Sequence, residues 1–160
     1  MRNCEVDVSA GREHESIRAA DANDLDALLP LVAAYRAFYG QAGDTAAERA
    51  FLQAHLERQT STVFIATAQT RAVGFVQLFR TFSTVHLGEA LILEDLYVAE
   101  DSRGQGLATR LLAASVEYAR RRGAVGMFLE TAFDNRAAQR VYERNGWTRE
   151  GRFLKFNAPL

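Results

Sequence analysis

The chain has 160 residues and a mass of 17.8 kDa, the size of one ordinary domain that can bury a core without disulfides. Hydrophobic residues make up 48% and charged residues 24%, which excludes a largely disordered chain, a collagen-like repeat and a disulfide scaffold. No run of 18 apolar residues occurs, so no membrane-spanning helix is predicted. The single cysteine, Cys4, and a start without an apolar signal-peptide core predict a cytoplasmic protein.

The net charge of −1 conceals an asymmetry along the chain. Residues 1–102 carry 8 Arg and 15 acidic residues, a net charge of −7, whereas residues 103–160 carry 10 Arg, one Lys and 5 acidic residues, a net charge of +6. A basic half suits a phosphate-bearing ligand and an acidic half suits a cationic one, although solvated faces can also differ by chance. The overall balance argues against a dedicated nucleic-acid binder.

The first half of the chain predicts one strand and two helices. Residues 1–15 are polar and without periodicity, which predicts a loose leader before a single domain over residues 16–160. Pro30 lies inside the first helical pattern and should kink or split that helix. The predicted elements are a strand over 16–19, a helix capped by Asp21 and reaching Tyr39, and a helix over 45–59.

The second half alternates strands with helices. The predicted elements are strands over 63–66, 72–80 and 90–98, a helix over 106–122 that ends at Gly123, a strand over 127–131, a helix from Asn135 to Gly146, and a last strand over 149–156. The whole order, β-α-α-β-β-β-α-β-α-β, predicts an α/β domain in which antiparallel strands come first and one β-α-β crossover follows.

The most informative stretch is the loop between the 90–98 strand and the 106–122 helix. There Arg103-Gly104-Gln105-Gly106 opens the helix, whose first turn has free N–H groups and a positive dipole end that bind anions. The glycines have no Cβ, so a phosphate can approach the backbone closely. The third glycine of a dinucleotide fingerprint is missing and no Gly-Lys-Ser/Thr follows, which excludes those two phosphate loops.

Two motifs in this order carry a family resemblance. Arg103-Gly104-Gln105-Gly106-Leu107-Ala108 resembles the (Gln/Arg)-x-x-Gly-x-(Gly/Ala) signature of the GNAT superfamily of N-acetyltransferases. Residues 135–147, with Asn135, Tyr142 and Gly146-Trp147, resemble the second motif of that family. The resemblance covers roughly residues 16–156. It implies an α/β (α+β) fold with a central mixed, mostly antiparallel twisted sheet, splayed central strands and about four flanking helices.

The resemblance also implies acetyl-CoA as the cofactor and direct acetyl transfer to an amine. The amides of residues 104–109 would hold the pyrophosphate, and the strand segment 96–98 would bond to the pantetheine arm and the thioester carbonyl. Asn135 would contact the cofactor arm as well as cap its helix. No metal is implied. The expected cofactor-binding residues are Leu96, Tyr97, Val98, Arg103, Gly104, Gln105, Gly106, Leu107, Ala108, Thr109 and Asn135.

The resemblance makes Tyr142 the general acid that protonates the departing thiolate. The amine must first lose a proton, which at pH 7 costs about 5 kcal/mol for a pKa near 10.4, so a carboxylate relay is expected. Simple strand alternation puts Glu94 on one face with Ile92 and Leu96, where an apolar setting makes a carboxylate costly unless it has a function. Glu94 is therefore the favoured base and Asp95 the alternative.

The acceptor class stays open. Residues 93–98 resemble the matching segment of diamine (spermidine/spermine) acetyltransferases, but the surrounding sequence also resembles a broad group of bacterial small-amine and histone-acetyltransferase-like members. Tyr39 or Phe79 could line an amine pocket through cation–π contact. The sequence therefore predicts an N-acetyltransferase of a small primary amine, such as a polyamine, a diamine or an amino-acid-like compound.

Two alternatives remain, together with an expectation about assembly. The acceptor could be a protein lysine or N-terminus, or the chain could be an acetyl-CoA-binding sensor without turnover. The resemblance implies a homodimer, since members of that family often dimerise through their sheets or C-terminal strands, and residues 153–156 could pair with another chain. Neither a nucleic-acid nor a membrane partner is expected.

Overall fold

The computed structural model describes residues 15–152, 155, 156 and 158. Residues 1–14, which include Cys4 and nearly all of the predicted leader, lie outside the described residues, as do residues 153 and 154. The chain forms two compact units, of which the first ends at Glu130 and the second begins at Thr131. Among the helices that the structure describes, none has both the length and the apolar character needed to cross a membrane.

The first unit is built on a five-stranded mixed sheet in which the strands lie side by side in chain order. The first four strands pair antiparallel, and the fifth pairs parallel with the fourth. The predicted order of antiparallel strands followed by one crossover is confirmed. The strands are β1 (Glu15–Ala19), β2 (Ser61–Ala68), β3 (Arg71–Ser83), β4 (Gly88–Val98) and β5 (Gly126–Leu129).

One face of the sheet packs against helix α3 (Leu107–Arg121). Its apolar stripe includes Leu111 and Leu112, which are fully buried, and burial of each such side chain contributes about 2 kcal/mol. Gly74 of β3 lies on this face, and a Cβ there would come within 2.8 Å of the Tyr97 carbonyl oxygen and 3.4 Å of a Leu111 methyl carbon. The close packing therefore requires glycine at position 74.

The opposite face packs against helices α1 (Leu25–Phe38) and α2 (Thr45–Glu57). The core on this side joins Leu28 and Leu52 of the helices to Phe75 and Tyr97 of the sheet. Leu28, Leu52 and Phe75 are almost completely buried. The two helices are therefore held to the sheet by apolar burial, and they form one wall of the cleft described below.

Pro30 does not split α1, which runs without interruption from Leu25 to Phe38. The missing N–H leaves the Asp26 carbonyl without its helical donor, but Asp26 and Pro30 are both exposed, so water can bond that carbonyl. The predicted cap is present just before the helix: the Asp21 carboxylate accepts from the Asn23 N–H at 2.8 Å. Burial of the apolar stripe of α1 thus stabilises the helix by more than Pro30 destabilises it.

The second unit contains helix α4 (Arg136–Arg144). Its predicted cap is confirmed, because the Asn135 side chain accepts from the Ala138 N–H at 3.1 Å. The last strand predicted over 149–156 is wrong for the described residues of that range, since none of them is in a strand. Glu150 instead accepts from the N–H groups of Gly151 and Arg152 at 2.9 and 2.8 Å, and such local bonds compete with sheet pairing.

Candidate active site

The turn from Arg103 to Gly106 joins β4 to α3. Gly104 and Gly106 have φ values of +75° and +82°, a region that glycine adopts without the steric cost that a Cβ brings. Among the described residues, and apart from the two chain neighbours of each glycine, no atom lies within 4 Å of the position that a Cβ would occupy there. The backbone of this turn is therefore accessible to a ligand.

The beginning of α3 has the chemistry of an anion site. Its N-cap residue, Gly106, has no side chain to cap the helix, and no acidic residue lies in the first turn, so the first turn itself carries no carboxylate that would neutralise the positive end of the helix dipole. Arg103 adds a guanidinium, which is anchored because its Nε donates to the Val98 carbonyl at 3.0 Å and its Cζ lies 5.6 Å from the centre of the Tyr97 ring. These features fit a pyrophosphate.

The end of β4 offers an open strand edge beside this turn. The β4–β5 ladder covers only Ala90–Leu93 on β4, so among the described strands residues 95–98 pair with β3 alone. Extended ligands bond to such unpaired backbone groups. The structure thus brings the predicted cofactor residues of β4 (Leu96, Tyr97 and Val98) next to those of the turn (Arg103 to Thr109), through the bond from Arg103 to Val98.

A β-bulge separates the two candidate carboxylates. Leu78 of β3 pairs with Leu93, whereas the preceding residue, Gln77, pairs with Asp95, so Glu94 is the extra residue. The predicted face that Glu94 shares with both Ile92 and Leu96 is therefore wrong, because Ile92 pairs with Phe79 and Leu96 with Val76, on opposite faces of β3. Asp95 lies on the α1–α2 face with Gln77. Glu94 is exposed and Asp95 is half-buried, so the cost of burial falls on Asp95.

Asp95 lines a cleft of about 450 Å³ between α1, α2 and the sheet. Burial raises the pKa of Asp95 to about 6; hydrogen bonding by the Tyr35 hydroxyl opposes the rise, and repulsion from Glu94 adds to it. Burial and the neighbouring Asp95 charge also raise the pKa of Tyr35 above its usual range. Asp95 is therefore a carboxylate in a dry setting that gains from a cationic partner.

The sequence predicted few of the residues that α1 and α2 contribute to this cleft. Tyr39, one of two aromatic candidates for an amine pocket, lines the cleft. Phe79, the other candidate, packs instead with its ring 5.2 Å from that of His55. Tyr35 was not singled out, although its helical spacing of four residues from Tyr39 places both rings on one side of α1.

The remaining predicted residues, Asn135 and Tyr142, lie in the second unit. Asn135 uses its side-chain oxygen to cap α4. Tyr142 is half-buried, and its ring centre lies 6.3 Å from that of Trp147. The Trp147 N–H donates to the Tyr142 carbonyl at 3.1 Å. Across the residues that the structure describes, no group of three His, Cys, Asp or Glu side chains is arranged to hold a metal ion.

Comparison with known proteins gives a consistent family. The model of the acetyltransferase (GNAT) family matches residues 28–147. The chain is 40% identical over 146 residues to the uncharacterized N-acetyltransferase YhfO of Bacillus subtilis strain 168, and the match covers 90% of this chain and 98% of that protein.

Solved structures agree with this family. The crystal structure of a probable acetyltransferase superimposes with a TM-score of 0.86 at 38% identity, over 91% of this chain and 97% of the other. The aminoglycoside N-acetyltransferase AAC(6')-Iy in complex with CoA shares the fold, with a TM-score of 0.78 at 22% identity over 96% and 99% of the two chains. Acetyltransferases of this family use acetyl-CoA. The chain belongs to the GNAT family and is an N-acetyltransferase, an enzyme that acetylates an amine.

Proposed function

We propose that this enzyme transfers the acetyl group of acetyl-CoA directly to the nitrogen of a small primary amine. The observation that carries the proposal is the half-buried Asp95 carboxylate on the lining of a 450 Å³ cleft. A cleft of this volume holds a small molecule, and a partly desolvated carboxylate favours an ammonium partner. The cleft lies on the face of β4 that points towards α1 and α2.

The cofactor side of the proposal rests on the turn before α3. The N–H groups of residues 104–109, together with Arg103, hold the pyrophosphate, and residues 96–98 hold the pantetheine arm along the open edge of β4. The positive φ values, the open space beside both glycines and the absence of a side-chain cap support this placement. When bound, acetyl-CoA supplies the acetyl group as an activated thioester. Asn135 is proposed to contact the same cofactor.

The transfer requires three proton movements, because the nitrogen loses two protons and the sulfur gains one. The ammonium gives up one proton, with a carboxylate as the relay, and the free amine then attacks the thioester carbonyl. A C–N bond forms and the C–S bond breaks, the nitrogen loses a second proton, and the sulfur gains one, so one proton is released overall. Tyr142 is proposed to protonate the sulfur. Glu94 stays the relay predicted from the sequence, while Asp95, which lines the cleft, is proposed to hold the ammonium.

The test begins with calorimetric titration of acetyl-CoA, followed by a panel of primary amines with free thiol as the readout. We expect binding in the micromolar range and turnover on small amines. Tyr142→Phe should keep acetyl-CoA binding and lower kcat at least tenfold, because the sulfur loses its proton donor. Binding without turnover on any amine of the panel would contradict the proposal in favour of a sensor or a protein acceptor.

A matched pair of glycine variants tests the cofactor site. Gly106 and Gly123 lie before and after α3, both have positive φ values of +82° and +68°, and a Cβ at either meets no atom within 4 Å. Alanine at either position carries a similar backbone strain of about 1 kcal/mol. We expect Gly106→Ala to weaken acetyl-CoA binding at least tenfold and Gly123→Ala to leave it unchanged. Equal losses in both variants would refute the assignment of the turn.

A further inference from the structure

Aromatic rings form one part of the lining of the acceptor cleft, beside aliphatic side chains and the polar side chains of Arg36, Gln41, Glu48, Gln77 and Asp95. Rings of Tyr35, Tyr39, Phe51 and Phe75 line it. Tyr35 packs edge-on against Tyr39 and Phe75, with ring centres 5.1 and 6.0 Å away. Phe75 is 1% exposed, whereas Tyr39 and Phe51 are 47% and 48% exposed. The cleft thus has a buried aromatic base and a rim of two half-open rings that an apolar ligand can cover.

The charges of the cleft leave one unbalanced anion. Three charged residues line it: Arg36, Glu48 and Asp95. Arg36 Nε donates to Glu48 Oε1 at 3.0 Å, so these two charges balance each other. Within the part of the chain that the structure describes, no cationic side chain forms an ion pair with Asp95. The neighbouring carboxylate of Glu94 is exposed and is not part of the lining.

The number of unpaired carboxylates in the lining limits how many ammonium groups a bound ligand can place in the cleft. One ammonium can reach Asp95, but a second ammonium elsewhere in the cleft would find no other unpaired carboxylate in the lining, because Glu48 is already paired with Arg36. A partly buried cation without a carboxylate partner is unfavourable, and a like charge increases the cost. A ligand with one ammonium and an apolar body therefore matches the one unpaired carboxylate and the aromatic rings of the lining.

We infer that the acceptor is a primary monoamine with an apolar, preferably aromatic, body, its ammonium on Asp95 and its body between the rim rings of Tyr39 and Phe51. The inference rests on the proposed function and narrows it to one class of amine. It sets this enzyme apart from acetyltransferases of diamines, polyamines or aminoglycosides. In the transfer, the monoamine nitrogen forms a bond to the acetyl carbon, and the bond from that carbon to the thioester sulfur breaks.

The first experiment compares acceptors that differ by one charge or one ring. Hexylamine and 1,6-diaminohexane differ only in the second ammonium, and phenethylamine and ethylamine differ in the ring. With acetyl-CoA saturating, we expect kcat/KM to be at least tenfold higher for hexylamine than for the diamine, and at least tenfold higher for phenethylamine than for ethylamine. Spermidine and kanamycin should be poorer than phenethylamine.

Variants of the lining test the same inference by changing its charge and its rim. Gln41 is exposed on the lining, so Gln41→Glu adds the missing second carboxylate and should raise the diamine-to-hexylamine ratio of kcat/KM about tenfold. Phe51→Ala removes a rim ring and should lower kcat/KM for phenethylamine about tenfold. Phe82→Ala is the control, because Phe82 is exposed on β3 and is not part of the cleft.

The outcomes separate the inference from the proposed function. Turnover of the diamine, spermidine or kanamycin at least as fast as the monoamines would overturn the monoamine class and leave the small-amine acetyltransferase standing. An unchanged ratio in Gln41→Glu would also count against it. If acetyl-CoA binds and no amine of the panel is turned over, the proposed function fails, and the inference fails with it.

Discussion

At the scale of single residues, Asp95 shows how the fold sets the chemistry of one carboxyl group. Its pKa of about 6 lies above the value of about 3.8 that an exposed Asp has. The folded protein therefore binds more protons than the unfolded chain between about pH 4 and pH 6, so the contribution of Asp95 to stability falls as the pH rises through that window. At neutral pH the charged form carries a cost that a bound ammonium would relieve.

The Asp95→Asn variant tests this cost directly. Since an amide carries no charge to desolvate, we expect the substitution to raise the free energy of unfolding by about 2 kcal/mol more at pH 7.5 than at pH 4. Urea unfolding at the two pH values measures the difference. Glu94→Gln is the matched control, because Glu94 is exposed and should change stability by less than about 0.5 kcal/mol. The same change for Asp95→Asn at both pH values would contradict the assigned pKa.

The sequence pointed to Glu94 and Asp95 as candidate carboxylates, but it did not show which of them is buried. Counting alternate positions along a straight strand placed Glu94 among apolar neighbours, but the bulge moves that setting to Asp95. A bulge depends on pairing between β3 and β4, so a single strand read alone does not reveal it. The glycine turn was easier to predict, because Gly104 and Gly106 have the positive φ values that only glycine adopts freely.

At the scale of elements, local periodicity was enough for most of the fold. The clear apolar stripe of α3 and the apolar runs of β2, β3 and β4 were predicted close to their observed bounds. The predictions failed where burial or side-chain hydrogen bonds override the local pattern. Burial of Leu28 and Leu31 keeps α1 intact around Pro30, and side-chain bonds of Glu150 replace pairing in the predicted last strand.

Gly74 provides a test of packing between elements. A methyl group there would lie 2.8 Å from the Tyr97 carbonyl oxygen, which belongs to the backbone of β4 and cannot rotate away. We expect Gly74→Ala to lower the free energy of unfolding by about 1–3 kcal/mol. Gly43→Ala is the control, because a Cβ at position 43 meets no atom within 4 Å. Denaturant unfolding of both variants measures the difference, and equal stabilities would refute the contact.

At the scale of the whole molecule, charge is divided along the chain. The net charge is −7 over residues 1–102 and +6 over residues 103–160. The proposed ligands divide in the same way: an anionic cofactor at the turn that begins with Arg103 and a cationic acceptor at Asp95. The predicted homodimer involves residues 153–156, of which 153 and 154 lie outside the described residues, so it stays a prediction.

Salt dependence tests whether this division matters for binding. Raising KCl from about 50 mM to about 500 mM shortens the Debye length from about 14 Å to about 4 Å. We therefore expect the Kd of acetyl-CoA to rise about three- to tenfold. The control donor is S-acetylpantetheine, which has no phosphate and whose KM should stay unchanged. An equal salt effect on both donors would show that phosphate electrostatics do not contribute.

The extra residue in β4 has a consequence for how chains of this fold can vary in length. In a regular strand, Leu91, Leu93, Asp95 and Tyr97 would all lie on one face. Because of the bulge, Leu91 and Leu93 lie on the α3 side of the sheet, whereas Asp95 and Tyr97 lie on the α1–α2 side. Loss of Glu94 would leave the pairs on both sides of it intact, so the packing of the sheet tolerates a one-residue deletion there, although the proposed proton relay would be lost. The same deletion at Ile92 or Leu96 would exchange the two layers. Insertions and deletions in this strand should therefore accumulate at a single position during evolution.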